Sequence, residues 1–258
     1  MSADKKWWEA DTSIGGRQIA FPVTPASAIL GIQSGDPIVR ARAFTAVVRL
    51  YWKPVYKRIR LRFRKSNEAA KDLTQAFFTR ALERGVFAAY TADQARFRTY
   101  VRRCLDNFVV NAEEHDTALK RGGGALALAL DFDDAEDELV RAGHIEDPTD
   151  ERLFDRDWIS SLHDASVAAL REELAPEATA LQLRAFERYD LVDETERPTY
   201  GALAEDLGVK TTDVTNYLHA VRKRLRRIVL TKLREVTSGD EEFRSEAIDL
   251  LGIDPDSP

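Results

Sequence analysis

Thr199-Tyr200-Gly201-Ala202-Leu203-Ala204-Glu205-Asp206-Leu207-Gly208-Val209-Lys210-Thr211-Thr212-Asp213-Val214-Thr215-Asn216-Tyr217-Leu218-His219 is the stretch that decides the fold. Thr199 can cap a short helix holding Leu203, Ala204 and Leu207. Gly208 supplies the tight turn that follows. Thr211 or Thr212 can cap a second helix, with Asp213 well placed in its first turn. Val214, Leu218, Val221, Leu225 and Ile228 then recur at helical spacing and form an apolar stripe. The opposite side carries Thr215, Asn216, His219, Arg222, Lys223 and Arg226. This is a helix-turn-helix pattern. Polar groups near the start of the second helix can reach base edges in a major groove, and the later cations suit phosphates. Read structurally, the same pattern is a helical hairpin with a solvated basic end.

Outward from this stretch the pattern stays helical. Phe44, Val47, Val48, Tyr51, Val55 and Ile59 recur every three or four residues, with Pro54 predicting a kink or a break between two helices. A second helix is expected from about Ala69 to Arg84, closed by Gly85 and packed through Leu73, Phe77 and Ala81, with Phe78 a further candidate for the buried face. A third runs through Phe97, Val101, Leu105, Phe108 and Val109. Before Gly35 the chain reads as an irregular arm or short helices, with Gly15-Gly16, Pro22 and Pro25. Arg121-Gly122-Gly123-Gly124 breaks helical continuity, and an acidic stretch to Asp157 reads as a linker. The helical pattern resumes at Trp158. Strand-like alternation is scarce, so the fold class is all-α: two small helical domains joined by an acidic linker. The boundaries follow as 1–37, an N-terminal extension; 38–120, the first domain; 121–157, the linker; 158–237, the second domain; and 238–258, a C-terminal extension.

Charge is segregated along the chain. The net value is −6, yet Arg40 to Lys65 holds ten Lys/Arg and no acid, and Asp131 to Asp157 holds twelve Asp/Glu against three arginines. Arg222, Lys223, Arg224, Arg226 and Arg227 form a second basic block. Local faces decide whether a polyanion is attracted, although each block alone also reads as a solvated helix face. No apolar run reaches the roughly 18 residues of a membrane-spanning helix, and Met1 to Glu9 lacks the apolar core of a secretory signal. One cysteine, Cys104, leaves no internal disulfide to form and fits a reducing compartment, so the cytoplasm is the expected location.

The sequence holds no catalytic constellation that its spacing reveals. His115, His144, His163 and His219 are scattered without metal-binding spacing. Gly122-Gly123-Gly124 is not followed by the Lys-Ser/Thr of a phosphate loop. Cys104 has no adjacent histidine to activate it. Asp133, Asp134 and Asp137 lack the glycine and terminal glutamate of a calcium loop. The expectation is therefore a protein without catalytic residues, metal or cofactor.

Two separated motifs carry a resemblance. Asp72-Leu73-Thr74-Gln75-Ala76-Phe77-Phe78, preceded by Tyr51-Trp52-Lys53-Pro54-Val55-Tyr56, resembles region two of the extracytoplasmic-function (ECF) sigma factors of RNA polymerase. Tyr200 to Gly208, with the helix after it, resembles their region four. Phe21-Pro22-Val23-Thr24 and the tail from Phe243 to Leu251 look like a subgroup with N- and C-terminal extensions. The resemblance implies a subunit that binds core polymerase, recognises promoter DNA and opens it. Asp72, Gln75 and Arg80 would contact a coiled coil of the largest polymerase subunit, although the first two also read as plain exposed helix positions. Arg96, Arg98, Tyr100, Arg102, Arg103, Asn107 and Asn111 lie where the family captures the downstream promoter element. That work needs flat surfaces for flipped bases and cations for the backbone. Phe87 and Tyr90, in the loop from Val86 to Gln94, would line a base pocket or lie in the core. Thr211, Thr212, Thr215, Asn216, His219, Arg222, Lys223 and Arg226 would contact the upstream element. Thr215-Asn216-Tyr217 departs from the Lys-Ser-Arg-like residues many relatives carry there, which leaves the upstream preference unreadable.

The acidic linker would thread toward the polymerase cleft as a DNA mimic or keep the domains apart. The tail, with Phe243, Ile248, Leu250 and Leu251, can form a docking helix with a regulatory role. An anti-sigma factor or other regulator is a further partner that the resemblance allows, and no residue identifies one. A membrane partner is not expected. The competing readings are a dimeric helix-turn-helix regulator independent of core polymerase, and a degenerate sigma-like interaction module.

Overall fold

The computed structural model describes residues 28–93, 95–114, 130–143, 147 and 149–256, with the side chains of 113 and 114 left out. The N-terminal arm with its Phe21 to Thr24 approach, Gln94, Gly122 to Gly124, His115 and His144 lie outside the described residues. Among the described residues the chain is helical, without a strand. The helices are α1 (Ala28–Ile32), α2 (Pro37–Arg62), α3 (Asn67–Glu83), α4 (Phe97–Glu114), α5 (Phe132–Ala142), α6 (Glu151–Glu173), α7 (Ala180–Tyr189), α8 (Tyr200–Leu207), α9 (Thr211–Glu235) and α10 (Asp240–Leu251). Two compact units divide them. Among the described residues, one takes in 28–162 with 233–251, and the other 163–232 with 252–256.

In the first unit, α2 is the central element. Asp36 caps it, accepting from the Ile38 N–H, and Pro37 enters at the first turn, where a missing N–H costs nothing. Pro54 lies inside the helix without ending it, so of the two expectations, a kink or a break, the break does not occur. Phe44, Val47, Val48, Tyr51, Val55 and Ile59 are all buried, each contributing about 1.5–3 kcal/mol of apolar transfer. Ser66 caps α3 through the Ala69 N–H, and Gly85, at φ +61°, follows its end. Phe87 is the hub of an aromatic cluster, with ring centroids 5.8 Å from Phe44, 6.0 Å from Phe77 and 5.8 Å from Phe97.

The acidic segment differs from the expected linker. Part of it, Phe132 to Ala142, is helix α5, packed on α2. Phe132 meets the rings of Trp52 and Tyr56 at 5.4 and 5.3 Å. Lys53 Nζ lies 3.0 Å from Asp134 and 2.7 Å from Glu138; Lys57 Nζ lies 2.7 Å from Glu138 and 3.3 Å from Asp157. Arg60 pairs with Glu136, and Arg58 makes a two-pronged contact with Asp106 at 2.7 and 2.8 Å. The physical reason is plain. Lys53, Lys57 and Arg58 are buried, and a buried cation demands a carboxylate.

In the second unit, Val167, Leu170 and Leu174 of α6 and the turn after it, Ala185 and Phe186 of α7, Leu203 and Ala204 of α8 and the stripe of α9 form the core. Thr199 caps α8 through the Ala202 N–H as expected, and Gly208 closes it at φ +67°. Its left-handed backbone explains the glycine, since an L side chain there costs about 1–2 kcal/mol. The cap of α9 differs from expectation. Thr211 is already helical, and Val214 donates back to the carbonyl of Lys210 at 3.2 Å. The Asp213 carboxylate accepts from the Lys210 N–H at 3.1 Å, half of a capping box.

The α2–α5 attachment sets an acid sensitivity. Hydrogen bonds from Lys53 lower the Asp134 carboxyl, and those from Arg60 lower Glu136. Their stabilisation is present above the ordinary carboxylate values and is lost as pH falls through the lowered ones. Burial raises Asp157 instead, so its protonation on the way down opposes the loss only in part. Acidification from about pH 6 to about pH 3 is expected to strip hydrogen-exchange protection from α5 before α9. Simultaneous loss in both helices would count against this assignment.

Candidate nucleic-acid interface

Thr212, Thr215, Asn216, His219 and Lys223 fall at three- and four-residue spacing on α9, and all are exposed. Thr211, also exposed, lies at the edge of this face. None of Thr212, Asn216, His219 and Lys223 has a side-chain partner among the described residues. The opposite stripe, Val214, Leu218, Val221, Leu225 and Ile228, is buried. The helix thus offers donors and acceptors at its N-terminal half while its other side holds it in place.

Arg222 and Arg226 are tied within their own unit. Arg222 donates from Nε and Nη2 to the two oxygens of Asp190 at 2.9 and 2.7 Å. Its guanidinium stands 5.8 Å from the Tyr189 ring, which packs on Tyr200 at 4.9 Å. Burial disfavours the charge on Arg222, but Asp190 outweighs it and the net shift is upward. Arg222 therefore clasps α9 to the end of α7. Arg226 donates to the carbonyl of Asp254 at 2.7 Å. Of the rest of the basic block, Arg227 reaches Glu173 at 2.5 Å and Arg224 donates to Gln182 at 3.2 Å. Lys223 is the cation of this face that extends into solvent.

The residues expected around the downstream element split into two sets on α4. Arg96, just before the helix, with Tyr100, Arg103 and Asn107 follows a spacing of four, three and four, which is one face. Arg103, Asn107 and Asn111 are exposed, and Arg96 and Tyr100 are partly so. Arg98 and Arg102 turn the other way. Arg98 is buried, with Nε 2.7 Å from Asp155 and Nη1 on Glu246, and Arg102 lies 2.6 Å from Glu151. Tyr100 donates its hydroxyl to the carbonyl of Val86 at 2.7 Å. Burial and the neighbouring Cys104 push its phenol up to about 12. Phe87 and Tyr90 are core residues, and Tyr90 donates to the Ala95 carbonyl at 2.8 Å. Burial pushes the Cys104 thiol up, which disfavours a reactive thiolate.

On α3, Asp72, Gln75 and Arg80 are exposed and share one broad face. Arg80 stands 5.9 Å from the Phe108 ring. Among the described residues no group of His, Cys, Asp and Glu could hold a metal, and no helix is long and apolar enough to cross a membrane. Asp190 and Tyr189 escaped sequence reasoning. Nothing local marks them, because their role comes from Arg222, 32 residues on.

Comparison with models of known families, with curated proteins and with solved structures finds no match.

The clasp carries a stability prediction. Asp190→Ala leaves the Arg222 guanidinium partly buried without its carboxylate, and urea unfolding is expected to lose about 1.5–3 kcal/mol. A loss within experimental error of zero would make the pair a surface contact of no consequence.

Proposed function

We propose that this chain is an RNA polymerase specificity subunit of the ECF sigma type. It works in the cytoplasm, binds core polymerase, recognises promoter DNA and opens it, with no catalysis or cofactor of its own. In this reading the region-two-like domain lies within 38–120 and the region-four-like one within 158–237. Asp72, Gln75 and Arg80 of α3 meet the largest polymerase subunit. The stripe of Arg96, Tyr100, Arg103 and Asn107 takes the downstream strand. Thr211, Thr212, Thr215, Asn216, His219 and Lys223 meet the upstream duplex, with Arg226 behind them. Arg98, Arg102 and Arg222 become positioning residues.

The observation that carries the reading is the exposed polar face at the start of α9, following a short capped helix and a left-handed glycine. Such a helix end fits a major groove. The two sequence motifs extend the reading from DNA binding to core polymerase.

The test is a pull-down with purified bacterial core polymerase, followed by run-off transcription on fragmented genomic DNA. Core binding with discrete transcripts is the expected result. Retention on duplex DNA without core binding would replace the proposal with a helix-turn-helix regulator. Core binding without transcripts would replace it with a degenerate sigma-like module.

On the promoter so obtained, Asn216→Ala is expected to lose about 1–3 kcal/mol of binding and relax the choice at one base pair. Lys223→Ala is expected to weaken all sequences alike and lower the salt slope by about 1. Equal loss on every promoter variant for Asn216→Ala, or a sequence-selective loss for Lys223→Ala, would overturn these roles.

A further inference from the structure

α10 carries Glu242, Glu246 and Asp249 at spacings of four and three, so the three carboxylates share one face. All three meet the N-terminal end of α4. Glu242 Oε1 accepts from the Phe97 N–H at 2.7 Å. Asp249 Oδ2 and the Ser245 hydroxyl both accept from Arg96 Nη2 at 2.6 Å. Glu246, itself buried, pairs with Arg98 and lies 3.6 Å from Arg96 Nε. The other side of α10 is seated by packing, with Phe243, Ala247 and Leu251 buried.

A helix N-terminus flanked by guanidiniums attracts an anionic backbone. Here that end is filled with carboxylates from the chain itself. One acid would suffice to cap α4. A buried Glu–Arg pair adds little stability over an apolar pair of the same volume, so stability alone does not call for three. Arg96 also heads the outward stripe that continues through Tyr100, Arg103 and Asn107.

We infer that α10 is an acidic strap that occupies one end of a strand-binding surface on α4, and that it holds down the affinity of this surface for single-stranded DNA. The inference rests on reading α4 as a nucleic-acid surface. It does not require that core polymerase be the partner.

The experiment measures binding of a labelled single-stranded DNA oligonucleotide to the full chain by fluorescence anisotropy, with no polymerase present. Three proteins are compared: wild type, the variant Glu242→Gln/Glu246→Gln/Asp249→Asn, and a control, Asp137→Asn/Glu172→Gln/Glu177→Gln. The control removes the same charge at exposed positions away from the contact. The strap variant is expected to bind about fivefold tighter or more, with a steeper salt dependence, while the control changes far less. An equal rise in the control, or no rise in a strap variant that still melts cooperatively, overturns the strap. If the triple variant does not melt cooperatively, the exposed Asp249→Asn decides alone, and unchanged affinity there overturns it as well. Failure of the polymerase reading shows separately, as missing core-dependent transcripts beside a strap effect that persists.

Discussion

Buried cations on α2 are the constraint on which the first unit depends. Lys53, Lys57 and Arg58 sit among Tyr51, Val55 and Ile59 on a helix that the core needs for its apolar side. A lysine or arginine withdrawn from water costs several kcal/mol unless a carboxylate answers it. The answers come from far along the chain: Asp106 of α4, Asp134 and Glu138 of α5, and Asp157 of α6. Three helices are thereby drawn onto one. Burial works against the charge on Lys53, yet Glu138 and Asp134 more than restore it.

The same constraint explains which parts of the fold were legible. Apolar periodicity, caps and a glycine at a left-handed turn are local signals, so α2, α3, α4, α8 and α9 can be read from neighbouring residues. The stripe from Val214 to Ile228 is buried where its spacing says it should be. The acidic stretch was not legible in this way. Asp134, Glu136 and Glu138 look like solvated linker residues until Lys53, Tyr56 and Arg60, some 80 positions earlier, are brought beside them. A pairing at that separation has no periodicity. It is legible only as a surplus of one sign here and of the other sign there.

The candidate interface divides along the same line. Exposure at Thr212, Asn216 and His219 follows from the helical period, because the apolar stripe fixes which side faces out. Arg98 and Arg222 do not obey it. By sequence Arg222 belongs to a basic block that would meet phosphates, and Arg98 to the arginines that the resemblance sets against the downstream element. By geometry each is held by a carboxylate of its own unit, Asp155 and Glu246 for one and Asp190 for the other. An arginine reads as a DNA contact or a structural clasp according to its partner, and the partner is not in the motif.

Net charge, finally, is a poor guide to what this chain attracts. An ion pair within about 3 Å presents little field beyond the roughly 8–10 Å screening length of a physiological solution. Some of the acids, Glu136, Glu138 and Glu246 among them, are counterions to α2 and to the start of α4 and add nothing to the field outside. The remaining excess of acids lies elsewhere, while Lys223 on α9 and Arg103 on α4 are exposed cations with exposed asparagines on the same helix. The acidity of the whole and the cationic character of these two faces are therefore compatible. The carboxylates paired to buried cations serve the interior, and the faces they do not reach keep their own sign.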